Sequence, residues 1–165
     1  VASVREQSVT AEVAGTGTVT TKVVSKVGSK LTGRIEKVLV DEGDLVKEGQ
    51  LVAQLEDTDL RHNVARAKAR LEAARATAQQ TKLAWERAQA LIRSGVLGRE
   101  EYDVYQEKFR VAESAVGVEE AELRYHEFKL SEARVVTAVG GLVTRRWAEA
   151  GDAVVAGQPV VSVAD

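Results

Sequence analysis

The residues best suited to hold a metal in this 165-residue chain are two histidines, His62 and His126, and the chain has no cysteine and no methionine. A zinc site draws on about four nitrogen or sulfur ligands, and neither histidine has a companion at ligand spacing. Nucleophilic chemistry has no better footing, because no thiol and no G-x-S-x-G elbow is present. Gly15-Thr16-Gly17 is a two-glycine fragment without the following helical pattern that a phosphate-cradling loop requires. The 25 Asp and Glu residues are scattered, with no apolar pocket around them to shift a pKa towards acid–base work. The expectation is therefore no enzyme, no metal and no cofactor. The acidic residues face 23 Lys and Arg, for a net charge of −2, and aromatics make up 4% of the chain. Such a chain has neither the basic excess nor the stacking surface for nucleic acid.

The spacing that does carry information is a repeat. Asp41–Asp57 reads DEGDLVKEGQLVAQLED and Glu149–Asp165 reads EAGDAVVAGQPVVSVAD. Seven of these 17 positions are identical at a constant offset of 108 residues, and Gly33 and Gly141 share that offset upstream. Each copy reads as strand, turn, short strand, turn, strand. Gly43-Asp44 and Gly151-Asp152 suit a tight turn, where glycine permits positive φ and the Asp side chain bonds nearby amides. One such unit cannot close over its own apolar face, whereas two related by a pseudo-twofold make a small β-sandwich.

Between the copies, composition shifts to Ala, Glu, Arg, Lys and Gln. Leu60, Val64, Ala67, Leu71, Ala74, Ala78, Thr81, Trp85, Ala88 and Ile92 alternate steps of four and three, a heptad seam. Tyr102, Tyr105, Phe109, Ala112, Val116, Glu119, Leu123, His126 and Leu130 form a second seam, with Glu119 and His126 as polar interruptions. The alanines demand close helix approach. The short stretch Ser94–Gly98 between the seams forces a reversal, so the pattern predicts an antiparallel helical hairpin with arms on the order of 50 Å. The expected organisation is α+β, a β-sandwich from residues 20–57 and 132–165 split by an inserted hairpin over 58–131. Helix 1 is expected at about 58–93, the tip at 94–98 and helix 2 at about 99–131.

This arrangement resembles the periplasmic adaptor proteins, or HlyD-like membrane fusion proteins, of tripartite efflux pumps. Val27–Asp57 and Gly141–Asp165 look like the two halves of the lipoyl-like barrel-sandwich hybrid of that family. The tip Arg87–Asp103, RAQALIRSGVLGREEYD, is similar to the family pattern R-L-x-x-L-x6-S. Arg87 and Leu91 match it, as do Glu101, Tyr102 and Asp103 beyond it. Ala88 stands where Leu is common, and Gly98 where Ser is usual. Gly98 is a weaker N-cap than Ser, by a few tenths of a kcal/mol, so the tip is expected to fold, while any contact of the family's hydroxyl is lost.

The resemblance implies an adaptor that bridges an inner-membrane transporter, of the resistance–nodulation–division or ATP-driven class, and an outer-membrane channel of the TolC type. It implies tip docking through Arg87, Leu91, Val96, Leu97, Gly98 and Glu101, self-association into a ring, and a periplasmic location anchored to the inner membrane in the full-length protein. Residues 1–19 are then expected to hold a strand belonging to an absent β-barrel domain, within a longer polypeptide. Two other readings stand beside it. One is a type I secretion adaptor that exports polypeptides. The other is a lipoyl or biotinyl carrier, which needs a lysine at the turn between the sandwich halves, where this chain has Glu56-Asp57-Thr58-Asp59-Leu60.

Overall fold

The computed structural model describes residues 24–164. The strand expected within residues 1–19 lies outside them. The element order is β1 (Val24–Gly28), β2 (Gly33–Val38), β3 (Leu45–Val46), β4 (Leu51–Leu55), α1 (Thr58–Arg93), α2 (Arg99–Glu132), β5 (Arg134–Val136), β6 (Gly141–Arg146), β7 (Ala153–Val154) and β8 (Pro159–Ala164). Two four-stranded antiparallel sheets form, in the orders β1-β8-β6-β3 and β5-β4-β2-β7. Adding 108 to each residue number turns the β1–β4 series into the β5–β8 series, so one sheet order maps onto the other.

The two halves exchange strands. β3 of the first half pairs with β6 of the second, and β7 of the second pairs with β2 of the first. The loops repeat this reciprocity bond for bond. Ile35 N donates to the Asp152 carbonyl and Gly151 N to the Ile35 carbonyl, both at 2.8 Å. At the related positions, Val143 N donates to the Asp44 carbonyl and Gly43 N to the Val143 carbonyl, again at 2.8 Å. Gly43 and Gly151 adopt φ of 96° and 93°, a region that disfavours any Cβ. The Asp44 carboxylate accepts from Asp41 N, and that of Asp152 from Glu149 N, each at 2.8 Å. Gln50 and Gln158 do the same for Lys47 N and Val155 N, at 3.0 and 3.1 Å. The side chains in the repeated sequence thus satisfy the turn amides that no ladder reaches.

The central strands β4 and β8 are buried almost throughout, and so are largely apolar instead of alternating, with Gln54 and Ser162 as their buried polar residues. Ile35, Val52, Leu55, Val143, Val154, Val160, Val161 and Val163 are among the core side chains with under 3% exposure. At roughly 1.5–3 kcal/mol for each fully buried aliphatic side chain, this cluster is the main stabilising term. The hairpin leaves from β4 and returns into β5, and these two strands are themselves paired, Ala53 opposite Val135 and Gln54 opposite Arg134. Ala133 is fully buried at the return, and its carbonyl accepts from Leu55 N at 2.8 Å. Lys30 and Glu132 add an ion pair at 2.9 Å.

Every residue of the two seams is buried or half-buried. Ala67 and Ala88 are 2% exposed, consistent with the close approach that small side chains allow. The Trp85 and Phe109 rings stack at 5.3 Å, 14° from parallel, and Trp85 Nε1 donates to the Tyr102 hydroxyl at 3.1 Å. Glu119 and His126 keep their seam positions half-buried, and His126 Nε2 lies 3.2 Å from Glu122 Oε1.

Two glycines give opposite expectations. A Cβ on Gly28 would meet the Gln158 carbonyl oxygen at 2.8 Å, and backbone cannot move aside cheaply. Gly28→Ala is expected to cost about 1–3 kcal/mol, the usual range for overpacking. A Cβ on Gly117, inside α2, meets nothing within 4 Å, so Gly117→Ala is expected to stabilise by about 0.5–1 kcal/mol through helix propensity. Chemical denaturation of both variants checks the pair; equal shifts of the same sign would contradict the assigned backbone geometry.

Candidate docking surface at the hairpin tip

The tip is built by backbone chemistry. α1 ends at Arg93 with Ser94 as its C-cap, and Gly95 follows with φ of 74°. Gly95 N donates to the Ile92 carbonyl at 3.1 Å and Val96 N to the Leu91 carbonyl at 3.0 Å. This pairing is the Schellman motif, which satisfies carbonyls that a helix end leaves open. The Leu91 carbonyl also accepts from Ser94 Oγ at 2.9 Å and Leu97 N at 3.3 Å. α2 then starts from Gly98, extended at φ −74° and ψ 155°, whose carbonyl accepts from Tyr102 N at 3.1 Å. Gly98 serves as N-cap without a side-chain bond, and Glu100 and Glu101 place negative charge in the first turn, where the helix dipole favours it.

The fixed backbone leaves a distinct set of side chains outward. Val96 is 75% exposed and Leu91 43%, while Leu97 is half-buried. Arg87 is exposed; its Nε donates to the Leu83 carbonyl at 3.1 Å, which lays the side chain along α1, and it forms no ion pair among the described residues. Glu101 is also exposed and unpaired there. The six residues singled out from sequence, Arg87, Leu91, Val96, Leu97, Gly98 and Glu101, thus all lie within the last turn or two of the hairpin. Sequence reasoning passed over Gly95 and the Leu91 carbonyl, although Ser-Gly followed by an apolar residue at a helix end is the signal for this cap. Arg99, paired with Asp103 at 3.4 Å, borders the same surface.

At the opposite end, an open polar groove runs along the root of the hairpin beside Arg34, Lys37, Gln54, Asp57, Arg61 and His62. Asp57 precedes α1 but makes no side-chain cap bond. Its carboxylate instead accepts two bonds from Arg61, at 2.7 and 2.9 Å. These bonds hold its pKa below the usual carboxylate value, against an opposing desolvation. Among the described residues, no three His, Asp or Glu side chains converge to hold a metal ion, and no helix is long and apolar enough to cross a membrane.

The sequence profile of the CzcB-like barrel-sandwich hybrid domain matches residues 20–165. The chain belongs to that family. The multidrug resistance protein MdtA of Escherichia coli O7:K1 is 26% identical over 152 residues, covering 92% of this chain and 37% of its own length. The chain therefore spans little more than a third of that relative. Among solved structures, the membrane fusion protein Spr0693 of Streptococcus pneumoniae R6 superposes with a TM-score of 0.69 at 18% identity, over 88% of this chain and 60% of its own. The soluble domain of LipC, a membrane fusion protein of a type I secretion system, gives 0.55 at 12% identity, over 86% of this chain and 99% of its own. At these identities the two structures speak to the fold, and the family's sandwich interrupted by two helices is the fold found here.

The Asp57–Arg61 pair sets an expected pH dependence. Its folded-state pKa lies below the ordinary Asp value of about 4, so the pair's stabilisation is fully present above that value and is lost as pH falls through the depressed one. Arg61→Ala should lower the melting temperature at pH 7, and the gap from the parent should close in strong acid. An equal gap at pH 7 and pH 2 would assign the effect to packing instead of charge.

Proposed function

We propose that this chain is the sandwich-and-hairpin part of a periplasmic adaptor of a tripartite efflux pump. In this reading it bridges an inner-membrane transporter and an outer-membrane channel of the TolC type, and it works from the periplasm within a longer protein anchored to the inner membrane. The observation that carries the proposal is mechanical. Two helices of 36 and 34 residues stand on a paired pair of strands and end in a tip whose reversal is closed by main-chain bonds to the Leu91 and Ile92 carbonyls. At about 1.5 Å per residue such an arm reaches on the order of 50 Å from the sandwich. An arm of this length suits holding two assemblies at a set distance.

The tip offers what docking on a helical partner needs. Val96 and Leu91 supply exposed apolar area, and Arg87 supplies a planar donor fork able to reach carboxylates or helix-end carbonyls. Leu97, Gly98 and Glu101 complete the rim. We assign no catalytic step and no cofactor to the chain; the transported molecule is handled elsewhere in the assembly. The relative's name, a multidrug resistance protein, favours small-molecule export. The likeness to LipC keeps polypeptide export by a type I system as the second reading.

The test is co-purification of the adaptor with an outer-membrane channel, comparing the parent with Arg87→Ala/Leu91→Ala. Helicity by circular dichroism is expected to stay unchanged, because neither side chain belongs to the seam, and channel association is expected to fall by at least tenfold, about 1.4 kcal/mol. Unchanged binding by the double variant, alongside loss of binding on removal of the whole hairpin, would overturn the tip assignment.

A further inference from the structure

The repeat at 108 residues also relates two rows of side chains on the outer faces of the sandwich. In one sheet, Lys26, Ser162 and Arg145 are cross-strand neighbours on β1, β8 and β6. In the other, Arg134, Gln54 and Lys37 stand at the related positions on β5, β4 and β2. Each row sets a cation on either side of a buried polar residue, the two cations borne on strands roughly 10 Å apart.

The rows differ in what meets the cations. Trp147 lies over the first row: its Nε1 donates to Ser162 Oγ at 2.8 Å, and Arg145 and Lys26 sit 4.8 and 5.8 Å from its ring centroid. The indole gives both cations a π face. Leu39 holds the related place in the second row. Its N–H donates to the Val52 carbonyl at 2.9 Å, as that of Trp147 does to the Val160 carbonyl at 2.8 Å, so the backbone agrees and the side chain differs. Leucine has no electron-rich face to offer a cation. Neither Lys37 nor Arg134 forms an ion pair among the described residues.

All four members of the second row line one groove of about 610 Å³ at the root of the hairpin. That volume lies within the range of ligand pockets, roughly 300–1,000 Å³. Leu39 and Leu51 give it an apolar wall from the sheet, and Leu130 another from the last turn of α2. The carboxylates on its rim are engaged elsewhere, Asp57 with Arg61 at 2.7 Å and Glu127 with Lys68 at 3.8 Å. Two cations without a counter-charge thus face an apolar-walled groove.

We propose that this groove binds a small aromatic acid, a carboxylate or sulfonate on a flat ring system. Its ring lies against Leu39, where the related row has its indole, and its charge sits between Lys37 and Arg134. The anion supplies the partner that the row lacks, through charge-assisted hydrogen bonds. The bound acid touches the sheet and α2 together, and so ties the foot of the hairpin to the sandwich. The site lies a hairpin's length from the tip, on the order of 50 Å, and does not depend on channel docking.

Isothermal titration calorimetry of the purified chain with 2-naphthoate tests the proposal. One naphthoate per chain is expected to bind saturably. Naphthalen-2-ylmethylammonium, the same ring with the opposite charge, and acetate, the charge without the ring, should not. Lys37→Gln/Arg134→Gln should weaken binding by roughly tenfold or more. Lys26→Gln/Arg145→Gln removes the same charge from the related row and should leave the affinity within about twofold, as expected of a separate site. Leu39→Trp, which rebuilds the indole row, should abolish binding while the circular dichroism and melting temperature stay those of the parent. Absence of saturable naphthoate binding, equal binding of the ammonium analogue, equal weakening by the two charge-removing pairs, or full binding by a folded Leu39→Trp chain would each overturn the proposal. Phosphatidylglycerol vesicles should not sediment the chain; sedimentation that Lys37→Gln/Arg134→Gln removes would assign the groove to a lipid headgroup instead and overturn it too.

Discussion

The structure depends on the mutual exchange between the two halves of the sandwich. Neither half owns a complete sheet, since β2 needs β7 and β6 needs β3. The four bonds linking Ile35 with the Asp152 loop, and Val143 with the Asp44 loop, join residues more than 90 apart in the chain. They cannot form until both ends of the hairpin have been brought together. Closing that long loop is an entropic cost, and the hairpin lowers it by being a locally formed unit whose ends already lie near one another. The inserted helices are thus part of how the sandwich closes. The pairing of β4 with β5 then returns the constraint, holding the feet of α1 and α2 in one fixed relation.

Much of this was legible because each feature left a periodic trace. The offset of 108 marked the two halves, and the turn residues at that offset make the same bonds in both copies. The alternation of four and three marked the seams, down to the half-buried Glu119 and His126. What escaped was written in weaker code. Ser29 and Thr137 share the offset and are both buried, each hydroxyl donating to the carbonyl two residues on, at 2.5 and 2.6 Å. They differ in residue type, so a search for identities passes over them. Trp147 has no aromatic counterpart at the offset; Leu39 stands there. Its indole Nε1 donates to the buried Ser162 hydroxyl at 2.8 Å, with Arg145 over the ring, and it covers the outer face of β8 while remaining 46% exposed.

The same geometry speaks to the carrier alternative. A swinging-arm domain presents its lysine on a tight turn between the halves. Here the corresponding strand ends, β4 and β5, open into the roots of two long helices, and the first residues beyond β4 are Glu56 and Asp57. Asp57 is committed to Arg61, which ties the first turn of α1 to the strand end. The site that displays a reactive group in a carrier is here occupied by a structural joint.

At the far end of the hairpin, the groups that fold the turn are distinct from those that face outward. At the tip the reversal is held by main-chain bonds to the Leu91 and Ile92 carbonyls and by the positive φ of Gly95. The outward side chains of Arg87, Val96 and Glu101 contribute little to it, since one makes a single bond to its own helix and the others make none. They can vary without unmaking the turn. Along the hairpin the division is radial: the seam residues fix the pair of helices, and the outer surface is left free, positively charged on α1 and negatively charged on α2.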